Sequence, residues 1–269
     1  MKSAKDIEQE IAIGTDSSRQ FNASTQLYID KTTTTAPIKR IQNKSFLNFF
    51  EKRNGFAFSD SGLDLVQVLH NMNLAKDDRL TLAGLLLFGE DIQTTKPFCL
   101  IRAVSFYGDD ISENEYIDKR DCAGNLEEQF QSAFLFLKNN LARMQGEGSF
   151  NSPGTLEISE QALVETLVNA LLHRDYSKNA VVRLLVFKDR VEVISPGCLP
   201  NHLSVENIIN GNSIMRNPLL ASYGTKILPY SGLGSGIQRI LKMHPETNFI
   251  NDTDGEQFTV ILKRPSKKL

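Results

Sequence analysis

Residues 160–197 constrain the fold more than any other part of the chain. Their first half repeats apolar residues at steps of three and four, which predicts an amphipathic helix with Ser159 as an N-cap that accepts from a first-turn amide. The second half, VVRLLVFKDRVEVIS, predicts two strands at Val181–Phe187 and Val191–Ser195 with a tight turn between them. A glycine turn at Gly197 then ends the second strand. A helix packed on a hairpin is therefore the expected centre of the fold.

The predicted helix carries polar residues along one face. Glu165, Asn169 and His173 are four residues apart, so they stack above one another, and Arg174 and Asp175 follow at the helix C-terminus. An acid and an amide one turn apart, beside a hairpin that ends in glycine, are typical of half a nucleotide site. The same pattern also fits a solvent-facing Glu165 and a His173 that caps or packs the helix and binds no metal.

A second glycine-rich segment precedes another helix near the end of the chain. Gly232, Gly234 and Gly236 come just before IQRILKM, which has helical apolar spacing. Glycines let the backbone approach an anion closely, and a helix N-terminus offers free amides to it. Two interpretations stay open, a phosphate site and a plain helix start. The segment is not a Walker loop, because no Lys-Ser/Thr pair follows it.

Composition places the chain among ordinary globular proteins. The formal net charge is −2, which gives no overall field that would favour nucleic acid or a membrane surface. The three cysteines, Cys99, Cys122 and Cys198, are widely spaced and form no CxxC pair, so we expect reduced thiols and no zinc site. No apolar run reaches membrane-spanning length and the N-terminus lacks a signal-peptide core, so a cytoplasmic location without a membrane partner is predicted.

The order of predicted elements indicates an α/β (α+β) fold in which a helical layer covers a mixed sheet. Residues 1–44 form a polar, loosely packed lead-in, residues 45–148 a smaller α+β domain, and residues 156–264 a second domain. The polar, Gly-rich run Gln145–Thr155 is the expected boundary. The apolar run Leu80–Gly89 fits either a helix or a buried strand.

Four ordered motifs, LVETLVNALLHRDY, VEVISPGCLP, RNPLLA and GLGSGIQRI, carry a family resemblance. The E-x-x-x-N helix, the strand that ends in a glycine turn and the late Gly-rich helix start resemble the GHKL ATPase superfamily, which has the Bergerat fold. The closer similarity is to a RecG-related branch of ATP-binding transcriptional regulators. It covers residues 45–264 and implies a GHKL-like ATP-binding domain after the smaller α+β domain.

The resemblance implies ATP and Mg²⁺ as ligands. Asn169 would hold Mg²⁺ against the phosphates, and Glu165 would be the general base that activates water. The phosphate cradle that it implies consists of Gly232, Gly234, Ser235 and Gly236. The further ligand-contacting positions that it implies are His173, Arg174, Asp175, Ser195, Gly197 and Arg216. Arg216 precedes Asn-Pro, so it also fits an interdomain contact or a simple helix start.

This sequence departs from the family pattern in two places. The superfamily's Asp-x-Gly-x-Gly box, whose aspartate reads the adenine amino group, is here Ser195-Pro196-Gly197-Cys198-Leu199, without the acid or the second glycine. The Ser-Pro-Gly is similar to what the RecG-related branch itself has at this place. The Schlafen-type, Alba-like DNA-binding domain expected at the N-terminus is reduced to two stretches, IAIGTDSSRQF and LYIDKTTTTAPI. No helicase motif is present, so the sequence does not favour helicase activity.

Three functions follow from these observations. The first is a nucleotide-binding transcriptional regulator in which ATP–Mg²⁺ biases conformation, dimerisation or DNA binding. The second is a slow ATPase with Glu165 as base, and the third is a scaffold that has lost its ligand. The partners expected are a nucleotide and, in the family, DNA, which this chain alone should bind weakly or not at all. A homo-oligomer is consistent with the family.

Overall fold

The computed structural model describes residues 28–112, 115–144, 154–229 and 234–265. The helices in these ranges are α1 (Asn43–Asn54), α2 (Leu65–Asn71), α3 (Leu82–Phe88), α4 (Ile92–Thr95), α5 (Leu126–Asn140), α6 (Glu160–Leu172), α7 (Val205–Ile209), α8 (Pro218–Ile227) and α9 (Gly236–Met243). The strands are β1 (Thr33–Pro37), β2 (Ala75–Lys76), β3 (Arg79–Thr81), β4 (Ile101–Phe106), β5 (Tyr116–Cys122), β6 (Arg143–Met144), β7 (Thr155–Leu156), β8 (Val182–Val186), β9 (Arg190–Pro196), β10 (Asn248–Asp252) and β11 (Gln257–Lys263).

A six-stranded mixed sheet in the order β10-β11-β9-β8-β4-β5 organises the fold. Its neighbours pair antiparallel, except that β4 and β8 run parallel with Ala103 opposite Leu184. Helix α5 packs on β4, β5 and β8, and α6 packs on β9 and against α5, so both lie on one face. The predicted mixed sheet with a helical layer is confirmed.

The remaining strands are short. Strands β1, β3 and β2 form a three-stranded sheet, and β6 pairs with β7 across residues 145–153, which lie outside the described residues. The six-stranded sheet takes β4 and β5 from one side of the predicted domain boundary and its other strands from the far side. Strands from both predicted domains thus share one sheet. The division into two domains stays a prediction.

One apolar core extends from the N-terminal helices to the sheet. Phe46 and Phe49 of α1 pack against Phe88 of α3, with ring centroids 5.4 and 5.0 Å away. Tyr223 of α8 contacts Phe49 edge-on at 5.6 Å and donates its hydroxyl to the carbonyl of Met72. The aromatic stripe of α1 is thus part of the core.

Of the two alternatives left open for Leu80–Gly89, the helix holds for most of the run. Leu80 and Thr81 end β3, and α3 follows because Thr81 caps the helix by accepting from the Gly84 amide. Ser159 does occupy the N-cap position of α6, but its side chain accepts no cap hydrogen bond, so the prediction of that bond was wrong.

The prediction of a loosely packed lead-in is wrong for residues 28–44. Thr33–Pro37 is a paired strand, and the Asp30 side chain is fully buried. Asp30 Oδ2 accepts the backbone amides of Leu219 at 2.7 Å and Leu220 at 3.2 Å, so a residue near the start of the chain caps the N-terminus of α8. Burial raises the pKa of Asp30, although these amides and Lys31 oppose the shift. Residues 1–27, with IAIGTDSSRQF, lie outside the described residues.

Asp30 provides a test of this contact through the pH dependence of stability. Because its pKa is raised on folding, its favourable contribution is complete below the ordinary value of 3.8 and is lost as pH rises through the raised value. We expect Asp30→Ala to lower the free energy of unfolding by about 2 kcal/mol at the acid end, since two amides lose their acceptor. Asp30→Asn keeps an acceptor without the charge and should flatten the pH dependence. Urea unfolding between pH 4 and pH 8 measures both, and parallel pH profiles for Asp30→Asn and the native protein would contradict this account.

Candidate functional site

A cleft lies between helix α6, the start of α9 and strands β9 and β11. Counted with its open mouth, which includes solvent, the space is about 990 Å³. The residues singled out from the sequence that line it are Asn169, His173, Ser195, Gly197, Arg216, Gly234 and Gly236. Gly232 lies outside the described residues. The fold therefore brings the α6 face, the end of the hairpin and the Gly-rich segment to one place.

Glu165 lies below this cleft and is paired. Only 5% of the residue is exposed, so it is not a solvent-facing acid. Its Oε1 accepts from Arg239 Nε at 2.7 Å and lies 2.6 Å from Arg239 Nη2. Its Oε2 is buried and has no hydrogen-bond partner within the described structure. A buried carboxylate oxygen without a partner is costly, and such atoms often mark places where a ligand or ion binds.

Gly236 begins α9 directly over the polar face of α6. A Cβ at this position would lie 2.8 Å from Glu165 Oε2 and 3.3 Å from Asn169 Nδ2. The absent side chain is what lets the N-terminus of α9 come this close to α6. The half-buried Asn169 faces the same point and lines the cleft. Glu165, Asn169 and Gly236 thus meet at one point.

The end of strand β9 forms the other end of the cleft. Ser195 Oγ donates to the Ala170 carbonyl at 3.2 Å and ties the strand to α6. Gly197 has a φ of +95°, and a Cβ there would lie 2.4 Å from Asp175 Cβ and 2.5 Å from Arg216 Nη1. This position therefore requires glycine, both for its backbone conformation and for its packing.

Arg216 forms hydrogen bonds to the loops around Gly197. Its Nη2 donates to the Cys198 carbonyl at 2.7 Å, and its Nη1 donates to the His173 carbonyl at 3.5 Å and lies 4.0 Å from Asp175 Oδ2. The next residue, Asn217, donates to the carbonyls of Leu172 and Arg174. Arg216 both lines the cleft and holds its rim together.

His173 is the C-cap residue of α6 and is enclosed by protein on most sides. Desolvation, with a further contribution from the Arg216 charge, lowers its pKa to about 4. Its imidazole is therefore neutral at pH 7 and can both donate and accept a hydrogen bond in the cleft.

Arg174 and Asp175 do not line the cleft, although the resemblance assigned them to the ligand. Arg174 is 2% exposed and donates to the carbonyls of Ala180 and Lys178, so its guanidinium organises the loop after α6. Asp175 Oδ1 accepts from the Ser177 amide and hydroxyl, which makes it a turn residue. Their side chains are used locally, which the residue pattern alone does not reveal.

The sequence analysis missed Arg239 and the apolar walls of the cleft. Arg239 lies one turn into α9, where side chains lean towards the helix N-terminus, so its position over the Gly-rich segment could have been inferred from spacing. Besides its contact with Glu165, it donates to Ser235 Oγ at 2.6 Å. The apolar lining comes from Val193, Leu199, Pro200, Leu203, Ile208, Ile214, Ile237, Phe258 and Val260.

Comparison with known proteins supports an ATPase-like domain. Residues 179–262, less than half of the chain, match the family described as "Putative ATP-dependent DNA helicase recG C-terminal". The match includes Ser195, Gly197, Arg216 and the Gly-rich segment, and it begins after the helix that carries Glu165 and Asn169. No curated protein matches the chain.

Among solved structures, the chain is similar to the DIP2311 protein from Corynebacterium diphtheriae, with 18% sequence identity and a TM-score of 0.69. The similarity covers 96% of this chain and 50% of that chain, so this chain spans half the length of the protein that it matches. At this identity the similarity shows a shared fold. Each helix in the described ranges is too short or too polar to cross a bilayer.

Proposed function

We propose that the chain binds ATP with Mg²⁺ in the cleft and uses occupancy of the site to change its conformation or its contacts with partners, as a transcriptional regulator. The observation that carries this proposal is the convergence of Glu165, Asn169 and Gly236 at the N-terminus of α9. The ATPase-like family match supports it as well, because the matched residues 179–262 include Ser195, Gly197 and Arg216, which line the rest of the cleft.

The residues present fit a magnesium–phosphate group. Magnesium in nucleotide sites is held by one or two protein oxygens together with substrate phosphates, and does not need a complete protein cage. The described residues accordingly contain no cluster of three or more His, Cys, Asp or Glu side chains suited to a metal. Asn169 supplies a carboxamide oxygen next to Gly236, where the backbone at the start of α9 comes close to α6. Asn169 would hold the ion, whose chemistry is to neutralise phosphate charge.

The apolar end of the cleft fits a nucleobase. Val193, Phe258 and Val260 lie on its strand side, and Ile237 follows Gly236 on its helix side. Small-molecule sites combine such walls with a few fixed polar groups, here Ser195, His173 and Arg216. Because Ser195 stands where the superfamily has an acid, we propose that purine recognition here depends on these neutral and cationic groups.

ATP hydrolysis is the second candidate function. Buried Glu165, with Oε2 beside Gly236, lies where a base could accept a proton from a water held against a phosphate. Oε1 is occupied by Arg239, so Oε2 is the atom that would take the proton. We propose slow turnover at most, since the carboxylate is paired.

The regulatory part of the proposal concerns partners. The net charge of −2 gives the whole chain no attraction for DNA, so we propose that this chain alone contacts DNA weakly. Dimerisation or a protein partner would then transmit nucleotide occupancy. The helicase named in the family description is not proposed for this chain, because its sequence has no helicase motif.

Titration calorimetry with ATP, with and without Mg²⁺, tests nucleotide binding directly. We expect micromolar affinity that depends on Mg²⁺, because the protein itself offers few ligands and the phosphates must complete the coordination. Magnesium alone, titrated without nucleotide, serves as the control and should bind weakly. Absence of heat with every nucleotide tried would contradict the proposal and favour a scaffold that has kept the fold and lost the ligand.

A further inference from the structure

We propose that Arg239 is the residue that distinguishes nucleoside triphosphates from diphosphates, by exchanging its ion pair with Glu165 for the terminal phosphate of the bound nucleotide. This inference rests on the proposed nucleotide site and adds a positioning and specificity role to a residue outside the sequence-predicted set. Arg239 contacts the Glu165 carboxylate, and a phosphate bound at the N-terminus of α9 would lie within its reach.

The Arg239 guanidinium lies between α6 and the start of α9. Arg239 is one turn from the start of α9, an eight-residue helix, and it donates both to Glu165 Oε1 at 2.7 Å and to Ser235 Oγ at 2.6 Å. The side chain therefore bridges α6 and the segment that begins α9. Its three planar nitrogens form a fork that matches either carboxylate or phosphate oxygens.

This cation needs an anion beside it. The N-terminus of a helix carries partial positive charge, so a guanidinium in the first turns is unfavourable unless a negative group lies beside it. Glu165 supplies that charge through one oxygen only, because its Oε2 is buried without a partner in the described structure. The Glu165 carboxylate thus uses one of its two oxygens on this cation, and an anion with more oxygens is a better match.

Glu165 Oε2 and Asn169 both border Gly236, so a terminal phosphate bound at the amides of α9 would lie next to the guanidinium. A phosphate offers three acceptor oxygens and more charge than a carboxylate. A diphosphate lacks this terminal group, so it leaves Arg239 with Glu165. A nucleoside triphosphate would therefore stabilise the pairing of Arg239 with phosphate, and a diphosphate its pairing with Glu165.

Calorimetric affinities for a non-hydrolysable ATP analogue and for ADP, both with Mg²⁺, test the exchange in the full chain. We expect Arg239→Gln to weaken binding of the ATP analogue by about tenfold or more and of ADP by less than about twofold, since charge-assisted hydrogen bonds to phosphate are lost only for the triphosphate. Arg239→Lys should restore part of the difference, because lysine keeps the charge without the fork. The matched control is Lys242→Gln, which removes the same charge from an exposed position of the same helix.

Glu165→Gln provides an independent measurement. It removes the competing charge, so we expect about threefold to tenfold tighter binding of the ATP analogue, unchanged ADP binding, and no such gain when Arg239→Gln is also present. Equal changes for both nucleotides, or an unchanged ratio in Glu165→Gln, would overturn the exchange. If Arg239→Gln does not fold, the ratio of the affinities of Glu165→Gln for the ATP analogue and for ADP still tests the exchange. If the native chain binds neither nucleotide, the proposed function fails and this inference fails with it, whereas binding with an unaltered ratio removes this inference alone.

Discussion

Replacing Gly84 by alanine is expected to destabilise the fold by about 3 kcal/mol, because a backbone atom occupies the place of the new methyl group. Gly84 lies in α3, whose residues are all buried. A Cβ there would lie 1.9 Å from the carbonyl oxygen of Leu74, which also accepts the Thr81 amide at 3.0 Å. Relief of the clash must therefore move main chain and weaken that hydrogen bond. Urea unfolding followed by circular dichroism measures the loss.

Gly224→Ala is the matched control for this substitution. Gly224 is also buried in a helix, α8, but the three atoms nearest to its Cβ would all belong to the Leu172 side chain, the closest at 3.1 and 3.2 Å, and none to the backbone. Alanine favours the helix over glycine by about 1 kcal/mol, so we expect a change near zero or a small gain. Similar losses of stability for the two variants would show that the tight contact at Gly84 does not govern the effect.

Local patterning predicted the elements of this fold because each buries one face. The stripe of α6 and the alternation in β8 and β9 are periodic in the sequence, and the structure places these elements within a residue or two of the prediction. The parallel pairing of β4 with β8 was not predicted. It joins residues about eighty positions apart, and no local signal specifies such a partner.

In the candidate site too, residues marked by a local pattern were predicted, and residues whose contacts depend on distant parts of the chain were not. Glu165 and Asn169 were found because they share one helix face, and Gly236 because glycines cluster before a helix. Arg239 and Asp30 were missed, since the contact of each depends on a partner distant in the chain. Arg174 shows the opposite case. It has the residue type and position of a ligand contact, but it does not line the cleft, and its Nη2 donates to neighbouring loop carbonyls.

Asn169→Ala is expected to remove the Mg²⁺-dependent part of nucleotide affinity, a loss of about a hundredfold, while the domain stays folded. Removal even of an indirect partner of a bound metal costs about tenfold to a hundredfold in affinity, and Asn169 would be a direct ligand. In the part of the chain that the structure describes, no hydrogen bond involves its carboxamide, and alanine is a better helix former than asparagine. Thermal unfolding should therefore be nearly unchanged, while calorimetry with ATP and Mg²⁺ records the loss.

The control is Asn139→Ala, which makes the same change at an exposed position of helix α5 and should leave binding intact. The experiment decides a question that the family match leaves open, because the matched segment begins at residue 179, after α6 has ended. The role of α6 rests on the contact of Gly236 with Glu165 and Asn169. Unchanged Mg²⁺-dependent affinity in Asn169→Ala would remove Asn169 from the site and restrict nucleotide contacts to the hairpin and the Gly-rich segment. A selective loss would mean that both halves of the cleft hold the same ligand.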